Sequence, residues 1–247
     1  VAEVLPWSGE VPPNREIRCM CGVFGYVTDR DAALGPILIE AAQRLTYRGY
    51  DSVGAATLRD GTIDLRKDVG KVDAVALRHG FAEMRGSRGI TQLRWATFGE
   101  PSQVNAQPHL DSDGSMVGAH NGNVVNNAEL RLQFQAEGMT VRSDNDGESC
   151  VHAVERHMRR GHEMVDAIRL AYGDLEGDYA FVIGRADDDR LYAFKKGSGL
   201  VVGIGERVLE QAQRQAAHTA VALQALANAH PQVGDVRGLG AMMAIEI

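Results

Sequence analysis

The first methionine of the chain, Met20, is followed directly by Cys21, which opens a strand-like run that ends at Val27. Removal of Met20 would make this strand begin with a cysteine that carries both a thiol and a free α-amino group. An α-amino group titrates at about 7.7 to 8.0, so it can take the thiol proton and later return it to a leaving group. The alternative is that Cys21 is a small apolar residue at the start of a buried strand, which is the commoner fate of a free cysteine.

Five further blocks of sequence accompany the cysteine. The six blocks are CGVFGYV at Cys21, LTYRGYDSVG at Leu45, RWATFGEPSQVNAQPH at Arg94, HNGNVVNNAEL at His120, SDNDGE at Ser143 and GSGLVVGIG at Gly197. From Cys21 to about Gly205 the chain thereby resembles the class II glutamine amidotransferases, the N-terminal nucleophile glutaminase domains, and within them the branch that opens the glucosamine-6-phosphate synthases. The resemblance implies an α+β fold, the four-layer αββα sandwich, here lacking its last strands.

The resemblance also implies roles for the catalytic residues. Cys21 would attack the glutamine amide, and the Asn121 side chain and the Gly122 backbone N–H would stabilise the oxyanion that forms. The alternative for Asn121-Gly122 is a type I′ hairpin turn, because Asn-Gly is also the strongest short hairpin signal.

The substrate's own charges need partners of opposite sign. By resemblance, Arg94 would hold the α-carboxylate through its bidentate geometry, Asp146 would receive the α-ammonium, and Trp95 and Thr97 would shape the pocket. The alternatives are a solvated surface arginine and, for Asp146, a capping residue before a helix that begins near Glu148.

Two positions depart from the family pattern. The glucosamine-6-phosphate synthase branch has His where this chain has Phe98 and Gln107, whereas His109 and His120 are retained. Because more distant members lack the first of these histidines, Phe98 bears on the acceptor and subfamily more than on the glutaminase step.

Local patterns predict several elements. Asp31 to Leu45 carries one apolar helical stripe, and Asn127 is the predicted N-cap of a helix that runs to Gly138 and buries Leu130 and Phe134. The other predicted elements are a hairpin of Val53 to Leu58 and Ile63 to Arg66 around Asp60-Gly61, helices Glu148 to Arg160 and Glu163 to Tyr172, and strands Tyr179 to Arg185, Leu191 to Lys195 and Leu200 to Ile204.

The predicted organisation has three parts. Residues 1–20, polar and rich in proline, are an extension or propeptide, and residues 21–205 are the amidotransferase domain. Residues 206–247 form an atypical tail, with an alanine-rich helix from Glu206 to Ala229. The stretch from His230 resembles a fragment of the class III pyridoxal-phosphate aminotransferases, without a cofactor-binding lysine motif. The alternative is a divergent helix and a strand, Met242 to Ile247, that completes the sheet.

Composition excludes several other functions. A formal net charge of -7 argues against a nucleic-acid partner, and no apolar run is long enough for a membrane span, so we expect a cytoplasmic protein. The 3 cysteines cannot form a disulfide framework. No metal or other cofactor is expected. His152, His157 and His162 recur every five residues, so on one helix they would point in different directions and could not bind the same metal ion.

The leading hypothesis is therefore a glutaminase domain that releases ammonia from L-glutamine for a synthase or isomerase domain or subunit, with fructose 6-phosphate as a candidate acceptor. An alternative is an inactive glutamine-binding or structural module, if residues 1–20 stay attached and Cys21 has an amide in place of an amine. A third option is an N-terminal cysteine hydrolase for other amides.

Overall fold

The computed structural model describes residues 21–95 and 99–203, together with the backbone of two short strands between residues 235 and 246. The chain divides into two compact units, residues 1–200 and residues 201–247. None of the helices in these described ranges is long and apolar enough to cross a membrane.

The first sheet of the larger unit is antiparallel and has the strand order β1-β4-β2-β3. Its strands are β1 (Gly22–Ala33), β2 (Ser52–Arg59), β3 (Thr62–Val69) and β4 (Arg85–Arg94). Helices α1 (Gly35–Arg44) and α2 (Val72–Arg78) belong to the same part of the chain.

The second sheet is also antiparallel and has the order β5-β6-β7-β8. Its strands are β5 (His109–Leu110), β6 (Met116–Val124), β7 (Gly177–Arg185) and β8 (Leu191–Lys196). Three helices accompany it: α3 (Asn127–Ala136), α4 (Asp146–Arg159) and α5 (Met164–Asp174).

Three hydrophobic clusters show how these elements are layered. Leu38 of α1 and Val75 of α2 pack with Leu93 of the first sheet. Leu58 and Ile90 of the first sheet pack with Val182 of the second. A third cluster joins the second sheet to its helices, through residues that include Phe134, Val151, Val154, Ala167, Phe181 and Ile183. The order is helices, sheet, sheet, helices, which is the predicted αββα sandwich.

Burial on both faces explains the sequence of the inner strands. In β2, Val53 and Ala55 face the helices, and Ala56 and Leu58 face the other sheet. Because successive side chains of a strand point to opposite faces, a strand between two apolar layers is apolar throughout.

The predicted hairpin around Asp60-Gly61 is confirmed. β2 and β3 pair up to Arg59 opposite Thr62, and the two turn residues have φ values of 48° and 75°. Positive φ at both central positions is the requirement of a type I′ turn, which Asp-Gly satisfies at low cost.

Several predicted boundaries differ from the structure. Asp31 does not begin a helix, because β1 extends to Ala33 and pairs again with β4 after a register shift. Helix α1 begins at Gly35, with Pro36 in its first turn, where a missing N–H costs nothing. Asn127 is the first residue of α3 and not its N-cap, and its side chain accepts a hydrogen bond from Ser149.

The buried positions of α3 were predicted correctly, since Leu130 and Phe134 are both in the core. Helices α4 and α5, and strands β7 and β8, also lie where the sequence predicts them, within two residues at each end. The strand predicted from Leu200 is wrong over the residues that the structure describes, because residues 200–203 have no regular structure.

Of the predicted tail, the helix from Glu206 to Ala229 lies outside the described residues. Strands β9 (Asp235–Leu239) and β10 (Met242–Glu246) form a two-stranded antiparallel sheet of their own. The alternative, in which the last strand belongs to the main sheet, is therefore wrong for the described residues.

Candidate active site

The first residue of the larger unit's described chain, Cys21, lies immediately before β1 and is 7% exposed. Its sulfur accepts a hydrogen bond from the Trp95 backbone N–H at 3.3 Å and lies 3.6 Å from the Trp95 carbonyl oxygen. Arg48 Nε donates to the Cys21 carbonyl oxygen at 3.0 Å. The thiol is therefore fixed by the residue that follows β4, and its backbone is fixed by the turn after α1.

Burial raises the pKa of the Cys21 thiol, and the negative charge of Asp146 acts in the same direction. The Trp95 N–H, the Arg94 charge and the Gln92 side chain oppose this rise without cancelling it. Because only the thiolate is a good nucleophile, this cysteine needs a base to react at neutral pH.

Arg94 is the last residue of β4, and it is buried rather than solvated. Its Nη2 donates to the Gly99 carbonyl oxygen at 2.8 Å, and its Nη1 donates to that of Glu100 at 3.3 Å. Burial lowers the pKa of Arg94, while the charges of Cys21 and Asp146 raise it. The surface alternative for Arg94 is thus wrong, and the guanidinium shares an electrostatic environment with both residues.

Trp95 is half-buried beside this group, and its ring meets the Tyr50 ring edge-on with centroids 4.8 Å apart. The remaining predicted pocket residue, Thr97, lies outside the described residues, as does Phe98.

Asn121 and Gly122 lie inside β6, opposite Ala180 and Tyr179 of β7. The turn alternative is therefore wrong. Gly122 has φ +117°, and a Cβ there would meet the Asp178 carbonyl oxygen and would lie 2.7 Å from the Tyr179 Cα. Only glycine fits this position. The side-chain Oδ1 of Asn121 is buried and has no hydrogen-bond partner among the residues that the structure describes.

The outer edge of β6, which is the edge on the side of β5, carries backbone N–H donors at every second residue. The His120 N–H donates to Gln107 Oε1 at 2.8 Å, and the Val124 N–H donates to Asp146 Oδ2 at 2.9 Å. Since N–H groups alternate in direction along a strand, the Gly122 N–H falls on the same edge, between these two. β5 has already ended at this level of the sheet.

Asp146 is the first residue of α4 and is 1% exposed. The N-cap is Asn145, whose side chain accepts from the Gly147 N–H at 2.8 Å, so the predicted capping role of Asp146 is wrong. Asp146 Oδ2 lies 3.2 Å from His120 Nε2. Burial tends to raise the pKa of Asp146, but the charge and hydrogen bond of His120 and the Val124 N–H outweigh it and lower the pKa.

The structure thus gathers Cys21, Arg94 and Asp146 around the end of the first sheet. Sequence reasoning gave no role to three neighbours: Arg48, which binds the Cys21 carbonyl, and Gln92 and Gln107, which both bind the His120 carbonyl. Arg48 and Gln107 lie inside two of the six sequence blocks that resemble the family. Their place in those blocks was the sequence signal that could have indicated a role at the site. Within the described ranges, no three His, Cys, Asp or Glu side chains are grouped so that they could hold a metal.

Comparison with known proteins identifies the domains that this chain resembles. Residues 93–201 match the family model of the glutamine amidotransferase domain. The fold also matches a solved allosteric regulatory enzyme of purine biosynthesis, with a TM-score of 0.57 and 26% identity over 68% of this chain and 36% of that one. The glutamine phosphoribosylpyrophosphate amidotransferase of B. subtilis has a TM-score of 0.53 at 24% identity over 68% of this chain and 35% of that one. The chain therefore carries a glutamine amidotransferase domain with the N-terminal nucleophile fold.

The sequence relatives are more specific. The chain is 42% identical over 188 residues to the glutamine–fructose-6-phosphate aminotransferase (isomerizing) of Thermococcus kodakarensis, an alignment that covers 76% of this chain and 31% of the relative. The domain is thus homologous to part of these aminotransferases, and the chain spans about a third of their length.

Proposed function

We propose that this domain hydrolyses the side-chain amide of L-glutamine, with Cys21 as nucleophile, and supplies the ammonia to an acceptor such as fructose 6-phosphate on a synthase or isomerase domain or subunit. The observation that carries the proposal is the buried Cys21 thiol, held by the Trp95 N–H in one electrostatic environment with a buried guanidinium and a buried carboxylate. The names of the sequence relatives support the acceptor.

The chemistry proceeds in two steps. The α-amine of Cys21, freed by removal of residues 1–20, takes the thiol proton, and the sulfur attacks the amide carbon. The oxyanion is stabilised by the Asn121 side chain and the Gly122 N–H. When the tetrahedral intermediate collapses, the C–N bond breaks and the nitrogen leaves as ammonia with the proton from the amine. Water then cleaves the thioester, which releases glutamate and restores the thiol.

Two buried charged side chains are complementary to the α-carboxylate and the α-ammonium group of glutamine. The Arg94 guanidinium would bind the α-carboxylate, and Asp146, whose lowered pKa keeps it ionised at neutral pH, would bind the α-ammonium. Trp95 and Thr97 would shape the pocket between them. In the structure Arg94 donates to the carbonyls of residues 99 and 100, so the loop after β4 would share this side chain with the substrate.

The remaining proposals concern the protein as a whole. We propose that residues 1–20 are a removable extension, residues 21–205 the catalytic domain, and residues 206–247 a tail derived from a class III pyridoxal-phosphate aminotransferase, without that activity. We also propose a cytoplasmic protein that binds neither nucleic acid nor membranes, and its acidic composition supports the absence of a nucleic-acid partner.

The test is an assay of glutamate release from glutamine, run side by side on protein that begins at Cys21 and on the full chain, with the first residue of each determined by mass spectrometry. We expect activity only where Cys21 is the first residue. Full activity in protein that still begins at Val1 would refute the free-amine mechanism. If protein that begins at Cys21 hydrolyses other amides and leaves glutamine intact, the third hypothesis replaces the proposal.

Two variants separate the assigned roles. Cys21→Ala is expected to abolish turnover while glutamine still binds, because the charged residues that hold the substrate remain. Asp146→Ala is expected to weaken glutamine binding about tenfold or more, since it removes a hydrogen-bonded charge pair. Calorimetric titration of glutamine gives both affinities, and equal losses of binding in the two variants would contradict the assignment.

A further inference from the structure

The outer edge of β6 loses its neighbouring strand just before the predicted oxyanion donors. β5 contributes only the pairs His109 with Gly118 and Leu110 with Val117. Continued by two residues, this register places Gln107 opposite His120. The ladder between β5 and β6 stops at the pair His109 with Gly118, one pair short of Ala119 and two short of His120.

The Gln107 side chain makes the two bonds that a paired backbone would make. Its Oε1 accepts from the His120 N–H at 2.8 Å, and its Nε2 donates to the His120 carbonyl oxygen at 3.3 Å. Gln92 Nε2, from the first sheet, donates to the same oxygen at 3.3 Å. The Gln107 side chain is completely buried. The peptide that joins His120 to Asn121 is thus held by two amides from two different parts of the fold.

The same side chain also orients the His120 ring. Oε1 of Gln107 is an acceptor, because the His120 N–H donates to it, and it lies 3.2 Å from His120 Nδ1. On the other side of the ring, Nε2 faces Asp146. The His120 ring and the Gln107 amide are packed tightly against Gly147. A Cβ on Gly147 would lie 2.5 Å from Nδ1 of His120 and 2.6 Å from Oε1 of Gln107.

We propose that Gln107 is a positioning residue for glutamine hydrolysis, which replaces the missing backbone partner of His120 and so fixes the next two residues, Asn121 and Gly122, as oxyanion donors. The inference rests on the proposed function. Donors that stabilise a transition state must be fixed before the charge develops, so a looser β6 lowers kcat more than it weakens substrate binding.

The test compares Gln107→Met, which keeps the length of the side chain and loses both bonds, with Gln103→Met in the same loop. Gln103 is exposed and donates to the Lys67 carbonyl oxygen, away from β6. For protein that begins at Cys21, we expect Gln107→Met to lower kcat about tenfold or more, with glutamine affinity within about twofold of the wild type, and Gln103→Met to change neither. Gln107→His restores one polar contact and is expected to recover part of kcat.

Affinity is measured by titration in the Cys21→Ala background, and hydrogen exchange reports on the His120 amide directly. Exchange should accelerate in Gln107→Met and stay unchanged in Gln103→Met. The inference is overturned if kcat of Gln107→Met equals that of Gln103→Met, if kcat and affinity fall together, or if exchange at His120 is unaltered. Absence of glutamate release by the wild type would instead refute the proposed function. Faster exchange of the His120 amide in Gln107→Met would then still support the role of Gln107 in holding β6.

Discussion

At the scale of single residues, Asn121 has the sharpest predicted effect. If its side chain is an oxyanion donor, Asn121→Ala should lower kcat about a hundredfold or more and leave glutamine affinity nearly unchanged. Asn123→Ala is the matched control, because Asn123 has the same side chain two positions along β6 and is exposed. Steady-state assays of glutamate release check both variants. If kcat falls no further in Asn121→Ala than in Asn123→Ala, Asn121 is not an oxyanion donor.

The same residues show what a sequence can and cannot reveal at this scale. Asn-Gly has two structural meanings, and the choice depends on whether β7 lies beside it, which is a long-range pairing. The burial of Arg94 is likewise set by the loop that folds over it. Gln107 was recognised only as a departure from a pattern. Its contacts depend on β5, a strand of two residues that leaves no periodic signal.

At the scale of elements, Lys67 ties β3 to the loop between β4 and β5. Its ammonium donates to the carbonyl oxygens of Val104, Ala106 and Pro108 at 3.2, 2.5 and 3.1 Å. Burial lowers the pKa of Lys67 to about 8. Charge on this lysine is therefore unfavourable in the folded state compared with the unfolded state, although the carbonyls partly solvate it.

This lysine predicts a rise of stability in alkali. Between its folded pKa of about 8 and its ordinary value of 10.5, the unfolded state binds more protons, so the free energy of unfolding contributed by this group increases with pH. We expect the wild type to gain about 2 kcal/mol relative to Lys67→Met between pH 8 and pH 10. Urea unfolding at several pH values measures this difference. Lys71→Met, at an exposed lysine before α2, keeps Lys67 and should therefore follow the wild type.

Elements differ in how far their own sequence determines them. The β2–β3 hairpin and the buried face of α3 were predicted correctly, because a turn dipeptide and a helical stripe act within a few residues. The start of α1 was predicted wrongly, because the pairing of Ala32 and Ala33 with β4 extends β1 over residues that also suit a helix. Tertiary pairing decided the boundary.

At the scale of the whole molecule, the layers could be inferred from family resemblance but not from local patterns. Nothing in β2 alone says which of its faces meets the helices and which meets the second sheet, since both are apolar. The helix layer over the second sheet contains a further feature that the sequence does not signal. Glu148 of α4 is 1% exposed and lies between the backbone of Arg142 and Ser143 and the ring of His152.

This carboxylate predicts how the fold responds to acid. Burial tends to raise the pKa of Glu148, but His152, His109 and the N–H groups of Arg142 and Ser143 outweigh it and lower the pKa to about 2. A carboxylate with a lowered pKa stabilises the fold fully above its unfolded value, near pH 4.5, and this contribution is lost as the pH falls toward 2.

We therefore expect the wild type to lose about 2 to 3 kcal/mol of this contribution between pH 5 and pH 2. Glu148→Gln should be less stable than the wild type at pH 7 and should approach it in acid, because the amide cannot titrate. Glu129→Gln, at an exposed position of α3, should follow the wild type throughout. Urea unfolding at pH 7, 5, 4 and 3 measures the three curves. A stability difference between the wild type and Glu148→Gln that stays constant from pH 7 to pH 3 would show that this carboxylate does not link acid to unfolding.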